Sequence, residues 1–87
     1  MSAPEPLVVW QPATRAAVLE LRAADSPGLL YRVATALADV GAQVRAARIS
    51  TLGGDVVDAF YLVGPWDDAA DRAAVEAAVI AAAEQGR

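Results

Sequence analysis

The feature that most constrains the fold is a change of hydrophobic pattern around residues 24–28. Before it, in the stretch of residues 18–22, Leu19 and Leu21 alternate with Glu20 and Arg22, which is typical of a strand with one buried face. After it, apolar residues recur at helical spacing as far as Gly41, a glycine placed to end the helix. Because the residue before a proline avoids the α region, we predict Ser26 as the N-cap and Pro27 as the first helical residue.

The predicted start of this helix has the properties of a small anion site. Gly28 places no side chain over the N–H groups of the first turn, and a helix N-terminus carries a partial positive charge. These groups can hold a carboxylate. The alternative is a plain strand-to-helix turn, because proline and glycine are common turn residues. The residues of the turn leave both interpretations open.

Composition excludes several kinds of chemistry. The 87 residues contain neither cysteine nor histidine, so the chain can form no disulfide, no Ser–His or Cys–His pair and no ordinary zinc site. We therefore expect no catalytic residues, no metal and no cofactor. Asp67, Asp68 and Asp71 are better explained as the start of a helix than as metal ligands, and Asp67 or Asp68 is expected to cap it.

Charge and hydropathy bear on partners and location. The net charge is −4 and all seven basic residues are scattered arginines, which argues against a nucleic-acid partner because phosphate contacts need a basic surface. No apolar run approaches the roughly 18 residues of a membrane span, and no signal peptide is visible. We expect no membrane association and a cytoplasmic domain over residues 7–87, preceded by a tail or linker at residues 1–6.

Hydrophobic pattern and turn signals predict six elements. They follow the order strand, strand, helix, strand, strand, helix, at residues 7–10, 17–23, 27–40, 43–51, 55–63 and from 66–68 onward. Short turns, one at residues 11–15 and one at Gly53-Gly54, make both strand pairs antiparallel.

This order resembles the ferredoxin-like arrangement, except that no strand follows the last helix. Residues 7–10 can fill the vacant place beside residues 17–23. The predicted fold class is α+β, with an antiparallel sheet, two helices on one face and an N-terminal strand in place of the usual last one.

Periodicity also predicts which side chains face the core. The predicted buried stripe of the first helix is Leu30, Val33, Ala34, Leu37 and Val40. Arg32 falls on the outer side of that helix. Val44 and Ile49 can both be buried only if a bulge intervenes near Ala46-Ala47 or both faces of the strand are covered. Either Phe60 or Tyr61 points inward, and periodicity does not decide between them.

A family resemblance rests on three stretches. Residues 18–32, Val-Leu-Glu-Leu-Arg-Ala-Ala-Asp-Ser-Pro-Gly-Leu-Leu-Tyr-Arg, closely resemble the opening of an ACT domain, a small regulatory module that binds amino acids. The resemblance continues through Ala-Arg-Ile-Ser-Thr-Leu-Gly-Gly at residues 47–54 and Val-Asp-Ala-Phe-Tyr-Leu-Val at residues 57–63. Within the family the chain is most similar to the C-terminal ACT domains of bacterial protein-PII uridylyltransferase/uridylyl-removing enzymes. Ser26 departs from that pattern, because the subgroup usually has arginine there.

The resemblance implies a ligand site at the first strand–helix turn, often between two ACT domains. One wall would consist of Asp25, Ser26, Pro27, Gly28, Leu29 and Leu30. Ala42, Gln43 and Val44 are candidates for a wall supplied by a partner. Main-chain N–H groups would hold the carboxylate of a free amino acid, and main-chain carbonyls or Asp25 would hold its ammonium group. The implied ligand is glutamine, and the implied partner is a second copy of the chain or another ACT domain.

Other functions stay open at this point. The chain could be an ACT-type dimerisation module without a ligand, or the ACT domain of another regulator of amino-acid metabolism. The chain could also be a small enzyme of the same fold, such as an acylphosphatase. Resemblance to such an enzyme would require a loop of clustered phosphate-binding residues with arginine, and the sequence contains no such loop. The resemblance places nucleotidyl-transfer chemistry in other domains of the parent enzyme, so this segment is expected to be regulatory and not catalytic.

Overall fold

The computed structural model describes residues 6–11, 16–64 and 66–85. These residues form β1 (Leu7–Gln11), β2 (Ala16–Ala24), α1 (Leu29–Asp39), β3 (Val44–Leu52), β4 (Asp55–Val63) and α2 (Ala69–Glu84). The four strands make one sheet in the order β1-β2-β4-β3, with every neighbouring pair antiparallel. The predicted α+β class is confirmed, and the topology is that of a ferredoxin-like fold. Residues 1–5 of the predicted tail and residues 12–15 of the predicted turn lie outside the described residues.

Strand β1 takes the place predicted for it beside β2. Val8 lies opposite Leu21 and Trp10 lies opposite Leu19, on the face of the sheet that the core covers. The Trp10 indole N–H donates to Glu76 Oε1 in α2 at 2.5 Å. The guanidinium of Arg72, also in α2, lies 4.9 Å from the centre of the Trp10 ring, within the range of a cation–π contact. The last helix therefore holds the edge strand in place.

The core is built on the two central strands, β2 and β4. Leu19, Leu21 and Ala23 are buried on one face of β2, which confirms the prediction that this strand has one buried face. Phe60 is buried as well, whereas its neighbour Tyr61 is half-buried on the other face. Of the two residues, Phe60 is therefore the one that points into the core. The buried residues of both helices join this same cluster, which shows that both helices cover one face of the sheet.

The prediction for the start of α1 is wrong by two residues. The helix begins at Leu29, and Gly28 precedes it with a φ of 73°, in the left-handed region. The N–H of Leu29 donates to the carbonyl oxygen of Ser26 at 3.2 Å, which closes a turn with Pro27 and Gly28 at its centre. Proline followed by glycine is the pair that a type II turn favours. This turn, and not a capped helix start, explains the Ser-Pro-Gly sequence.

The buried stripe of α1 is also rotated relative to the prediction. Leu29, Val33 and Leu37 are buried, whereas the predicted stripe residues Leu30, Ala34 and Val40 are exposed. Two adjacent leucines can each begin a row at four-residue spacing, so the position of the helix start decides which row faces inward.

The C-terminal end of α1 is as predicted at Gly41. The N–H of Gly41 donates to Ala38 O at 3.0 Å and that of Ala42 donates to Leu37 O at 2.9 Å. These two bonds make a Schellman motif, in which the residue after the cap takes a left-handed conformation. Gly41 has a φ of 80°.

Strand β3 forms the other edge of the sheet, and its residues from Val44 to Thr51 are exposed. A register shift lies between Val44 and Ala46, so the strand has a bulge at Arg45, next to the predicted position near Ala46-Ala47. The bulge does not bury Val44 and Ile49, which are both exposed. One edge of the sheet therefore remains uncovered in the single chain.

The last helix follows its prediction closely. The Asp68 carboxylate caps α2 by accepting from the N–H of Ala70 at 2.8 Å and of Asp71 at 3.2 Å. The buried residues of α2 are Val75, Val79, Ala82 and Ala83. Ala78, on the same side of the helix, is half-buried.

Candidate functional site

A cleft of about 220 Å³ opens where the turn after β2 meets the first turn of α1 and the β3–β4 pair. Its lining residues are Asp25, Ser26, Gly28, Leu29, Leu30, Tyr31, Ile49, Val56 and Asp58. Ligand sites for drug-sized molecules are about 300–1,000 Å³, so this space suits a single small molecule.

Unpaired main-chain donors lie on the helix side of the cleft. Leu29 N–H is used by the turn and Arg32 N–H donates to Gly28 O at 2.9 Å. Between them, the N–H groups of Leu30 and Tyr31 have no acceptor among the residues that the structure describes. A helix of eleven residues adds a partial positive charge at this end. This side of the cleft is therefore suited to a negative group.

A buried acid, Asp58, also lines the cleft. Its side chain is 2% exposed, and its neighbours in the inward-facing row of β4, Val56 and Phe60, are apolar. Within the described part of the chain, Asp58 Oδ1 has no hydrogen-bond partner. Burial raises the pKa of Asp58 above its ordinary value of 3.8, and the nearby carboxylate of Asp25 raises this pKa further. Asp25 itself is exposed at the rim.

Sequence reasoning did not assign Asp58 to the site, although a signal was present. Residues 56–62 are apolar at every position except 58. A single charged residue in a buried strand is destabilising unless something pairs with it. That conflict between residue and environment marks position 58 as a functional candidate.

Arg32 is the second residue that the sequence did not reveal. It was predicted to face outward, but it is half-buried and binds the turn. Its Nη1 donates to Pro27 O at 2.5 Å, its Nη2 to Ser26 Oγ at 2.8 Å and its Nε to Ala82 O at 3.0 Å. A cation in the first turn of a helix opposes the helix dipole, so local acceptors are expected around it. Ser26, predicted as a cap, accepts from Arg32 instead.

The structure brings most of the predicted first wall together. Asp25, Ser26, Gly28, Leu29 and Leu30 line the cleft, whereas Pro27 takes part through its carbonyl group, which holds Arg32. Because Gly28 adopts a positive φ, its conformation already requires glycine, and its presence is not a sign of ligand contact.

The residues predicted for the partner's wall do not reach the cleft of their own chain. Ala42, Gln43 and Val44 follow the far end of α1, about 16 Å along the helix axis from its start at 1.5 Å per residue. Ala42 is buried in the core, whereas Gln43 and Val44 are exposed. Their contribution to a second copy's site stays a prediction.

Among residues 6–11, 16–64 and 66–85, no group of three or more acidic side chains is arranged to hold a metal ion. No helix in this part of the chain is long and apolar enough to cross a bilayer.

Fold and cleft together define a small ferredoxin-like α+β domain with a candidate small-molecule site. The chain is 51% identical over 61 residues to a bifunctional uridylyltransferase/uridylyl-removing enzyme of Streptomyces coelicolor, 44% identical over 59 residues to that of Rhodospirillum rubrum and 40% identical over 73 residues to that of Methylococcus capsulatus. These matches cover 68%, 68% and 79% of the chain but only 7%, 6% and 8% of the respective relatives. Its homologues are therefore short segments of such enzymes. Comparison with protein-family profiles finds no match.

One solved structure supports the fold. The crystal structure of an unknown protein from Galdieria sulphuraria aligns with a TM-score of 0.59 and 25% sequence identity. The alignment covers 76% of this chain and 39% of the other.

Proposed function

We propose that this chain is a regulatory ACT domain that binds a free amino acid, with glutamine as the ligand. The observation that carries the proposal is the cleft at the strand–helix turn, where the N–H groups of Leu30 and Tyr31 are unpaired. The resemblance of residues 18–32 to ACT domains implies a ligand at this same turn. A zwitterion suits the cleft because unpaired N–H donors for a carboxylate and two acids for an ammonium group, Asp25 and Asp58, belong to residues that line it.

We further infer that the domain acts within a bifunctional uridylyltransferase/uridylyl-removing enzyme. Its homologues are segments of such enzymes, and the chain spans only 6% to 8% of three of these relatives. In this proposal, the catalytic groups lie elsewhere in the enzyme, and the domain reports glutamine to them. Glutamine is proposed because the resemblance links this subgroup to nitrogen regulation, and a single amino acid suits a cleft of about 220 Å³.

A second copy of the chain is proposed to complete the site. Ile49, in the uncovered edge strand β3, is 54% exposed, and Tyr31, which lines the same cleft, is 77% exposed. An unpaired edge strand with exposed apolar side chains favours association with another chain. The same surface supports the alternative function, a dimerisation module without a ligand.

Calorimetric titration of the purified chain with L-glutamine tests the proposal, with L-glutamate as a matched ligand that lacks the side-chain amide. Sedimentation of the same samples reports whether the binding species is a monomer or a dimer. We expect saturable binding of one glutamine per cleft and weaker binding of glutamate. Dimerisation without binding of either amino acid would favour the module without a ligand. A monomer that binds neither would contradict both functions.

A further inference from the structure

The fold gives no reason for a carboxylate at position 58. The inward row of β4 consists of Val56, Asp58, Phe60 and Leu62, and each of these side chains is buried. Asp58 Oδ1 accepts no hydrogen bond from any of the described residues. Burying a polar atom without a partner destabilises the folded state, so this arrangement persists best where a binding partner compensates for it.

Asp58 lies where a ligand in the cleft would meet it. It shares the cleft with Leu30 and Tyr31, whose main-chain N–H groups are unpaired. The same cleft therefore holds unpaired donors and a buried carboxylate. Asp25 also lines the cleft, but it is exposed, and water screens an exposed charge far more than a buried one.

We propose that Asp58 determines the specificity of the cleft: its buried carboxylate receives the ammonium group of a free amino acid whose carboxylate lies on the N–H groups of α1. This inference rests on the proposed function and names the group that recognises the ligand. An N-acylated amino acid has no cation to offer. It would leave Asp58 desolvated and unpaired, which is the situation in which sites discriminate most strongly between similar molecules.

The groups that face Asp58 make the binding sensitive to pH. Asp25 from the β2–α1 turn and Tyr31 from α1 are the other titratable residues that line the cleft. The neighbours across the sheet, Leu21 in β2 and Ile49 in β3, carry no charge. Burial and Asp25 raise the pKa of Asp58. An ammonium group beside the carboxylate would lower this pKa again, so affinity should fall as the pH drops and Asp58 becomes protonated.

The test compares L-glutamine with N-acetyl-L-glutamine by calorimetry on the wild-type chain, in its ligand-binding oligomeric state. We expect the acetylated compound to bind at least about 100-fold more weakly, because an unpaired buried polar group gives discrimination of that order or more. Asp58→Asn keeps the shape of the side chain and removes its charge. It should weaken glutamine binding by about 30-fold, because a hydrogen bond to a charged group is lost.

Asp55→Asn is the matched control, because Asp55 lies on the same strand but is exposed and outside the cleft. Its affinity for glutamine should equal that of the wild type. Equal binding of the two ligands, or unchanged binding by Asp58→Asn, would overturn the inference and leave the proposed function standing. Absence of glutamine binding by the wild type would overturn both. If Asp58→Asn does not fold, the comparison of the two ligands on the wild type decides alone.

Discussion

Arg32 Nε donates a hydrogen bond of 3.0 Å to the carbonyl oxygen of Ala82, fifty residues further along the chain. The same guanidinium binds Pro27 O and Ser26 Oγ. One side chain therefore joins the turn at the cleft to the last turns of α2. If ligand binding moved the turn, Arg32 would transmit that movement to α2.

Arg32→Met should destabilise the domain by about 1–3 kcal/mol, because three hydrogen bonds from a charged group are lost. Arg32→Lys keeps the charge but not the planar set of donors, so it should recover only part of the loss. Urea unfolding measures both variants. Arg32→Met with the stability of the wild type would show that these contacts are not maintained in solution.

Leu37→Ala should lower the free energy of unfolding by about 2–5 kcal/mol, as expected for a fully buried leucine. Leu30→Ala is the matched control on the same helix, because Leu30 is 39% exposed. Its effect should be under about 1 kcal/mol in denaturant melts. A loss for Leu30→Ala as large as that for Leu37→Ala would agree with the stripe predicted from sequence, in which both leucines are buried, and contradict the observed rotation of α1.

Gly28→Ala should destabilise the domain by about 1–2 kcal/mol, since a side chain is strained at a φ of 73°. The matched control is Gly54→Ala in the β3–β4 hairpin, where an added Cβ meets open space and the glycine does not have a positive φ. Thermal melts compare the two. A neutral or stabilising Gly28→Ala would mean that the turn does not take this conformation.

Asp58→Asn should be more stabilising, relative to the wild type, at pH 7 than at pH 4. The pKa of Asp58 is raised in the folded state, so the folded chain holds this proton more tightly than the unfolded chain does. The wild type therefore loses stability as the pH rises from about 3.8 through the folded pKa, and the variant does not. Denaturant melts at the two pH values measure the difference. A constant difference would show that Asp58 is not desolvated.

Strand pattern made much of the fold predictable from sequence. Leucines alternate with charged residues at positions 19–22, and the Gly53-Gly54 pair indicates the β3–β4 hairpin. These two signals were enough to predict the central strands β2 and β4. The first residue of α1 could not be predicted, because Ser-Pro-Gly suits both a capped helix start and a closed turn. Because Leu29 and Leu30 are adjacent, the sequence also did not decide which of them begins the buried stripe of the helix.

The site was predictable only where it is local in sequence. The turn at residues 25–30 was identified because its residues are consecutive. Asp58 reaches the cleft through strand pairing and Arg32 contacts Ala82 through helix packing. Both contacts join residues that are far apart in the sequence, so no local sequence pattern predicts them.

The central claim is that a free amino acid binds at the start of α1. An NMR titration of the isotope-labelled chain with L-glutamine tests this directly, since every main-chain N–H reports separately. The proposal predicts that the largest shifts fall on the amides of Leu30 and Tyr31, with smaller ones across residues 25–29 and at Asp58. Shifts confined to other parts of the chain, or none at saturating glutamine, would contradict it.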